Sequence, residues 1–362
     1  MPRLKMAVIG VGALGRHHAR ILSEHAGVEL VAVVDSRAEQ GQDIAAKCQT
    51  SWLADYHSLL SRHALDAVSV VVPTVAHWKI AGDFLRAGVP VLVEKPLAAT
   101  VAQAEELVEL AAASNVLLQV GHIERFNPAF QAARDRISQP RYLRAERTSA
   151  FTFRSTDIGA VHDLMIHDID LTLSLVQSPL TSVEAFGVTV MGGCEDAVQA
   201  RLRFANGCIA DLTASRICPT ACRSLQAWSK SGCVICDMHQ RTVHQYSPTD
   251  RLLFGPSPTE LARQTGADIE QLKKDVFGQF VQVSEVPVDN SGPDALTREL
   301  NEFVSCVMNG HKPSVDGEQG LAAMVAADEI LKSVAAHQWD GRADGPTGPK
   351  MRIPRKLRRD AA

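Results

Sequence analysis

The sequence predicts a doubly wound α/β domain built on a parallel sheet, followed by an α+β domain. Three observations carry this expectation. Short apolar runs alternate with amphipathic segments over the first ~120 residues, the pattern of a parallel sheet covered on both faces. A glycine-rich turn, Gly10-Val11-Gly12-Ala13-Leu14-Gly15, directly follows the first apolar run. After Gly121 the rhythm changes to a series of strand-like segments closed by two helices, which marks an α+β arrangement.

In order, Met6–Gly10 reads as a buried strand, and a helix is expected from about Gly15 to His25. Val28–Val34 is a second strand ending at Asp35, and Ala38–Lys47 is helical. Ala67–Val72 is a strand stopped by Pro73, and Ala76–Ala87 a helix with Gly88 as its C-terminal cap. Val89–Val93, a helix capped by Thr100 and running to Ser114, and a strand Val116–Val120 complete the first domain. In the second, Asn127–Ile137 is expected to be helical, Tyr142–Phe153 extended, and Asp157–Val176 helical. Strands are expected at Ser182–Met191, Ala197–Phe204, Cys208–Ala214, Arg223–Trp228 and Cys233–Asp237. Val198, Ala200, Leu202 and Phe204 alternate as in a sheet with one wet face, and Asn206-Gly207 is a hairpin turn. Asp294–Met308 and Gly317–Ala336 are the closing helices. The domains are therefore expected at 1–122 and 123–338, with 339–362 a loose basic tail.

Composition sets limits on function. A chain of 362 residues, 46% hydrophobic, can bury two cores of ordinary size. The net charge of −4 gives no reason to expect a nucleic-acid partner. No apolar run approaches the ~20 residues of a membrane span, so no membrane insertion is expected. The first residues lack a signal-peptide pattern, and the eight cysteines form no disulfide framework, which together favour a cytoplasmic chain with free thiols.

The glycine turn follows a strand, opens a helix, and precedes Asp35, at the end of the next strand, by twenty residues. That context is the dinucleotide-binding fingerprint of a Rossmann domain. Gly10 and Gly12 permit a tight turn and close approach of a pyrophosphate, Gly15 permits close packing of helix on strand, and the helix N-terminus attracts phosphate. Asp35 is placed to accept hydrogen bonds from the adenosine ribose, which favours NAD over NADP; Arg37 weakens that preference, since it offers a partner to a 2′-phosphate.

Two further features point to chemistry. Glu94-Lys95-Pro96 lies just beyond a parallel strand, where such sheets bind ligands. A lysine there can donate to a substrate hydroxyl and stabilise a developing alkoxide, or it is a surface lysine before a helix. Asp163 and His167, four apart on an expected helix, share a face, so the carboxylate can orient the imidazole and raise its basicity as a general base requires. The same pair also fits a surface ion pair or a cap, and the apolar neighbours Leu164, Met165, Ile166 and Ile169 argue for a packed helix instead. No second histidine is placed to complete a metal site.

With these motifs in place, residues 4–336 resemble the Gfo/Idh/MocA dehydrogenases. The residues concerned are the Gly10–Gly15 loop with Arg16 and His18, Pro73-Thr74 with His77, Glu94-Lys95-Pro96, and Asp163 with His167. The resemblance implies a second domain with a large, mainly antiparallel open sheet, whose free face makes a homodimer or homotetramer. It implies that the glycine loop (Gly10, Gly12, Ala13, Leu14, Gly15), Asp35 and Arg37 hold NAD(P), with Pro73, Thr74, His77, Glu94 and Lys95 toward the nicotinamide. It further implies that Lys95 positions a reacting hydroxyl, His167 removes its proton, Asp163 supports them, and hydride passes to nicotinamide C4.

Within that family, the segments Gly121–Pro128, Phe153–Gly159, Asp163–Leu171, Arg203–Gly207 and Leu212–Arg216 are similar to those of UDP-N-acetylglucosamine 3-dehydrogenases. The implied substrate is a nucleotide sugar oxidised to its 3-keto form. Other cyclic polyol or sugar dehydrogenases, acting on inositol, glucose or UDP-sugar uronates, are the alternative, and an NAD-binding regulator without chemistry is a third. Arg125, Asn127, Arg154 and Arg216 are the candidate substrate residues, because arginine forks bind diphosphates; each arginine is equally well a structural ion-pair partner. The stretch Pro219–Leu225 departs from the basic strand expected there.

Cys218, Cys222, Cys233 and Cys236 have spacings that suggest a zinc site, but Cys233 and Cys236 lie three apart on an expected strand and point to opposite faces, so small buried thiols are expected. Lys350, Arg352, Arg355, Lys356, Arg358 and Arg359 make the tail basic, which suits a solvated segment or an anionic surface.

Overall fold

A computed structural model describes residues 3–62, 65–153, 158–342 and 344–349. The chain separates into two compact units, 1–126 with 293–328, and 127–292 with 329–362.

The first unit contains β1 (Leu4–Ile9), α1 (Gly15–Glu24), β2 (Val28–Val34), α2 (Ala38–Lys47), β3 (Ser51–Leu53), α3 (His57–Arg62), β4 (Ala67–Val70), α4 (His77–Arg86), β5 (Val91–Glu94), α5 (Val101–Ser114) and β6 (Leu118–Gly121). Its six strands are parallel in the order β3-β2-β1-β4-β5-β6. The order reverses between β1 and β4, and in such sheets the crevice outside the carboxyl ends of the strands at that point is where ligands bind. The strand sequences are apolar without alternation because both faces are covered: every residue of β4 and β5 is buried. The expected caps are present. Thr100 accepts from the Gln103 amide, and Gly88 closes α4 at φ +75°.

The second unit contains α6 (Pro128–Arg134), β7 (Tyr142–Thr148), α7 (Ile166–Val176), β8 (Leu180–Val188), β9 (Ala197–Phe204), β10 (Ile209–Ser215), β11 (Cys222–Ser229), β12 (Gly232–Asp237), β13 (Thr242–Pro248), α8 (Asp250–Phe254), α9 (Pro258–Ala262), α10 (Ile269–Asp275) and β14 (Val281–Glu285). Its eight-stranded sheet runs β14-β13-β12-β11-β7-β10-β9-β8, antiparallel except for β7 beside β10. Cross-strand pairing lines up Ala200, Leu212, Ala145, Leu225, Cys236 and Val243 as one buried row. Cys236 is thus a small core side chain, and burial pushes the Cys233 thiol up to about 11. Asn206-Gly207 makes the expected turn, with Gly207 at φ +81°.

The chain then enters α11 (Ala295–Asn309) and α12 (Gly317–Ala336). Leu296, Leu300, Phe303 and Val304 of α11 lie on one helical face and share a core with Met6, Val8, Leu22 and Leu30. This packing is why Pro293–Asp328 belongs with the first unit, where a linear reading of the chain divides it once, at residue 122. Removing Phe303, fully buried there, should cost about 3–5 kcal/mol.

Two expectations change. The helix expected over 157–176 is not one α-helix: Val161–Met165 forms a π-turn, with the Ile166 amide donating to Val161 O five residues back, and α7 starts only at Ile166. The region expected to be loose from 339 is folded at its start. Gln338 bridges to Thr347, Trp339 Nε1 donates to Gly348 O at 2.9 Å, and the Thr189 amide, one residue beyond β8, donates to Pro349 O. The basic residues from Lys350 onward lie outside the described residues.

Candidate functional site

The glycine turn sits at the carboxyl end of β1, at the reversal of strand order. Gly10 has φ +86°, and a Cβ on it would collide with Val71 O. Gly15 allows no side chain either, because its Cβ would run into the carbonyl of Gly10. Gly12 is different: a Cβ there would meet only the Arg37 guanidinium, at 3.8 Å. Gly10 and Gly15 thus serve the fold, whereas the space over Gly12 is open to a ligand. Ala13 and Leu14 are exposed at the mouth of α1, where the Arg16 and His17 amides donate to Gly12 O at 3.3 Å and Leu14 O at 2.8 Å.

Asp35, just past β2, is 8% exposed, and its carboxylate is fixed by backbone. It accepts from the Val11 amide at 3.1 Å and from the Arg37 amide at 2.9 Å. Arg37 Nε lies 3.5 Å from the same carboxylate while the side chain is largely exposed. Asp35 and Arg37 line a cleft of about 560 Å³ together with Gly12, Val72 and Pro73. A second cleft of about 530 Å³, by Gly88, Asn115 and Lys312, lies at the amino ends of β5 and β6 and contains none of the motif residues. The first cleft fits a dinucleotide: a phosphate-ready helix end, an open glycine face and a preset carboxylate stand in the order that group requires. Bound there, it would be held by the Gly10–Gly15 loop and Asp35.

Pro73 lines that cleft, and Thr74–Ala76 is a short 3₁₀ turn leading to α4. His77, 1% exposed, has Nδ1 at 2.8 Å from Pro96 O and Nε2 at 2.9 Å from Val72 O. It sits between the loop after β4 and the Glu94-Lys95-Pro96 segment, and as a neutral ring it donates to one of the two carbonyls. Burial lowers its pKa and prevails over the two carbonyls, which favour the charged ring. Glu94 is buried beneath Lys95: one oxygen accepts from the Lys95 amide at 3.2 Å and the other lies 3.2 Å from His18 Nε2. His18 Nδ1 is in turn 2.9 Å from Ser69 Oγ, and Gly121 leaves room for the Glu94 carboxylate. Glu94 and His77 therefore support the backbone that presents the half-buried Lys95. His18 shares the inward face of α1 with Leu22, a position a helical wheel marks as buried; its partners are not visible in sequence.

In the second unit, Asp163 lies in the π-turn and His167 in the first turn of α7, both half-buried. A π-turn has more residues per turn than an α-turn, so residues four apart come closer to standing directly above one another. Asp168, beside His167, is 1% exposed and takes a fork from Arg147 of β7, with Nη2 at 2.8 Å and Nε at 3.2 Å from both oxygens. Arg147 occupies an inward position in line with Leu143 and Ala145, where a charge needs a buried partner.

The candidate substrate residues stand in different surroundings. Arg216 is 4% exposed; its Nε donates to Asp196 Oδ1 at 2.8 Å and Nη1 to Ile158 O at 2.6 Å, so its fork serves the alternative, structural role. Asn127 caps α6, accepting from the Ala129 amide, and donates to Met238 O at 3.3 Å. Arg125 is half-buried on the 3₁₀ turn Ile123–Phe126. Arg154 lies outside the described residues. Glu195, buried against the start of the Asp163 turn, and Asp196, buried against Arg216, carry no signal in the sequence. Among the described residues no helix is long and apolar enough to cross a membrane.

Comparison with known proteins agrees with this architecture. Residues 4–122 match the oxidoreductase family with an NAD-binding Rossmann fold, and 121–234 match the GFO/IDH/MocA C-terminal domain. The chain is 32% identical over 339 residues to UDP-N-acetylglucosamine 3-dehydrogenase of Acidithiobacillus ferrooxidans, covering 93% of this chain and 99% of that one. The solved structure of that enzyme, GnnA, superposes with a TM-score of 0.78 over 92% of this chain and 98% of its own. Inositol 2-dehydrogenase of Rhizobium meliloti is 24% identical, over 92% of this chain and 97% of its own. The chain belongs to the Gfo/Idh/MocA family of NAD-binding oxidoreductases.

Proposed function

We propose that the protein oxidises a ring hydroxyl of a nucleotide sugar, converting UDP-N-acetylglucosamine to its 3-keto form, with NAD as the cofactor. The observation that carries this reading is the similarity to the Acidithiobacillus enzyme through both domains and nearly its whole length. The NAD preference rests on Asp35: a carboxylate held by two backbone amides suits ribose hydroxyls and repels a 2′-phosphate, and Arg37 lies against that same carboxylate.

In this reading Lys95 donates a hydrogen bond to the reacting hydroxyl and stabilises its oxygen as negative charge develops. His167 takes the hydroxyl proton, and Asp163 orients the imidazole and stabilises the imidazolium. The nicotinamide supplies a hydride acceptor for the carbon that loses its hydrogen. Glu94 and His77 hold the backbone on either side of Lys95, and Arg147 with Asp168 holds α7 on the sheet beside His167. The protein is expected to act in the cytoplasm as a homodimer or homotetramer.

The inositol dehydrogenase relatives support a second reading, oxidation of a free cyclic polyol. A substrate panel followed by NADH absorbance separates the two. UDP-N-acetylglucosamine should give NADH and a 3-keto product, whereas turnover of inositol or glucose alone would replace the nucleotide-sugar reading.

A further inference from the structure

The π-turn that carries Asp163 begins at Val161, and its entry is enclosed by buried charged groups. Glu195 is 6% exposed and accepts from the Val161 amide at 3.1 Å, while its own carbonyl accepts from the Ala160 amide at 2.9 Å. Its carboxylate lies directly on Gly159, where a Cβ would overlap it. Gly159 O in turn accepts from the Asp163 amide at 3.0 Å. One residue on, Asp196 is fully buried and accepts from the Val190 and Met191 amides at 2.6 and 2.7 Å. Arg216 ties Asp196 to Ile158 O and stacks over the Phe151 ring at 5.2 Å. The segment Ile158–Val161 is thus gripped at its first carbonyl by Arg216 and at its last amide by Glu195.

We propose that Glu195 is a positioning residue for the proton-transfer pair: by capping Val161 and packing on Gly159 it sets the π-turn that carries Asp163. The inference rests on the proposed roles of Asp163 and His167. A buried carboxylate costs free energy wherever its charge is incompletely paired, and an apolar contact would close the turn equally well. A side-chain acceptor at this amide meets a need an apolar contact does not: it satisfies the donor left open at the head of a helical segment, and it does so at one fixed distance. Glutamine keeps that acceptor without the charge, so geometry and charge are separable.

The test uses Glu195→Gln, Glu195→Ala, Gly159→Ala and the Gly159→Ala/Glu195→Ala double variant in the full chain, each measured in two ways. The first is kcat and KM on the sugar the wild type oxidises, with NAD affinity alongside. The second is the pH titration of the His167 imidazole by NMR, which requires no turnover. Glu195→Ala should lower kcat about 10–100-fold with KM within about threefold, the scale of a misplaced reacting group. Glu195→Gln should stay within about threefold of wild type, because the capping acceptor remains. The His167 titration should move in the alanine variant and stay close to wild type in the glutamine variant, and NAD affinity should hold throughout. Gly159→Ala should reproduce the loss in the wild-type background and add little once Glu195 is alanine, because the atoms it strikes are gone. Should Glu195→Ala fail to fold, Gly159→Ala and Glu195→Gln carry the comparison. Equal impairment by Gln and Ala, or an unmoved His167 titration with unchanged kcat, overturns the proposal. If the wild type oxidises no sugar, the functional reading fails while the His167 titration still decides this one.

Discussion

Replacing Arg216 with alanine separates the two roles its sequence position allowed. The side chain is 4% exposed and its partner Asp196 is fully buried, so the change leaves a carboxylate in the interior with its cation removed. The Ile158 carbonyl also loses its donor. Breaking a buried pair from one side costs about 3–5 kcal/mol. The Val190 and Met191 amides still bind Asp196, which places the loss toward the lower end of that range. A unit of this size loses about 2–4 °C of Tm per kcal/mol, so the unfolding midpoint should fall by about 6–12 °C. Thermal unfolding followed by circular dichroism measures it. Arg216→Lys should keep the charge but lose the fork and fall in between, and Asp196→Asn combined with Arg216→Ala should recover part of the loss. An Arg216→Ala protein with wild-type Tm and a raised KM for the sugar would refute this reasoning and return Arg216 to the substrate.

Three further outcomes follow from the same geometry. Gly12→Ala should fold with wild-type stability and bind NAD at least about tenfold more weakly, whereas Gly15→Ala should lose both, since its Cβ meets the Gly10 carbonyl; calorimetry and NAD titration distinguish them. Asp35→Asn should weaken NADH binding by about 1–3 kcal/mol while narrowing the gap to NADPH, because the charge-assisted acceptor is gone. Burial raises the Glu195 pKa, so the folded state holds that proton more tightly than the unfolded chain. The group's stabilising contribution is complete below the ordinary glutamate range and is lost as pH rises through the raised value. Glu195→Gln, which never ionises, should therefore gain in Tm relative to wild type as pH rises above the ordinary glutamate range; a difference that does not change with pH would contradict the assignment.

Much of the first unit was legible because its signals are local. Uninterrupted apolar strands, the glycine turn and caps such as Thr100 and Gly88 each act within a few residues. The return of α11 to the first core was not, because Leu296, Leu300, Phe303 and Val304 show an amphipathic face without naming what covers it. The short β3, the three small helices after β13 and the edge strand β14 were missed for a related reason: brief, partly exposed segments carry weak periodicity. At the site, Gly10, Gly12, Gly15, Asp35 and Lys95 could be picked out from motif context. The supports could not. His18 with Glu94, Arg147 with Asp168, and Asp196 with Arg216 are polar pairs separated by at least twenty residues, and only the fold brings them together. The π-turn is likewise invisible to a pattern built on 3.6 residues per turn.

In the proposed function, binding and proton transfer are carried by different residues of this chain. Lys95→Ala and His167→Ala, assayed for UDP-N-acetylglucosamine oxidation and for NAD affinity by fluorescence titration, test it most directly. Each should lose kcat by at least about 10²-fold while the Kd for NAD stays within about threefold of wild type. Turnover retained in both variants, or NAD affinity lost in step with turnover, would contradict it.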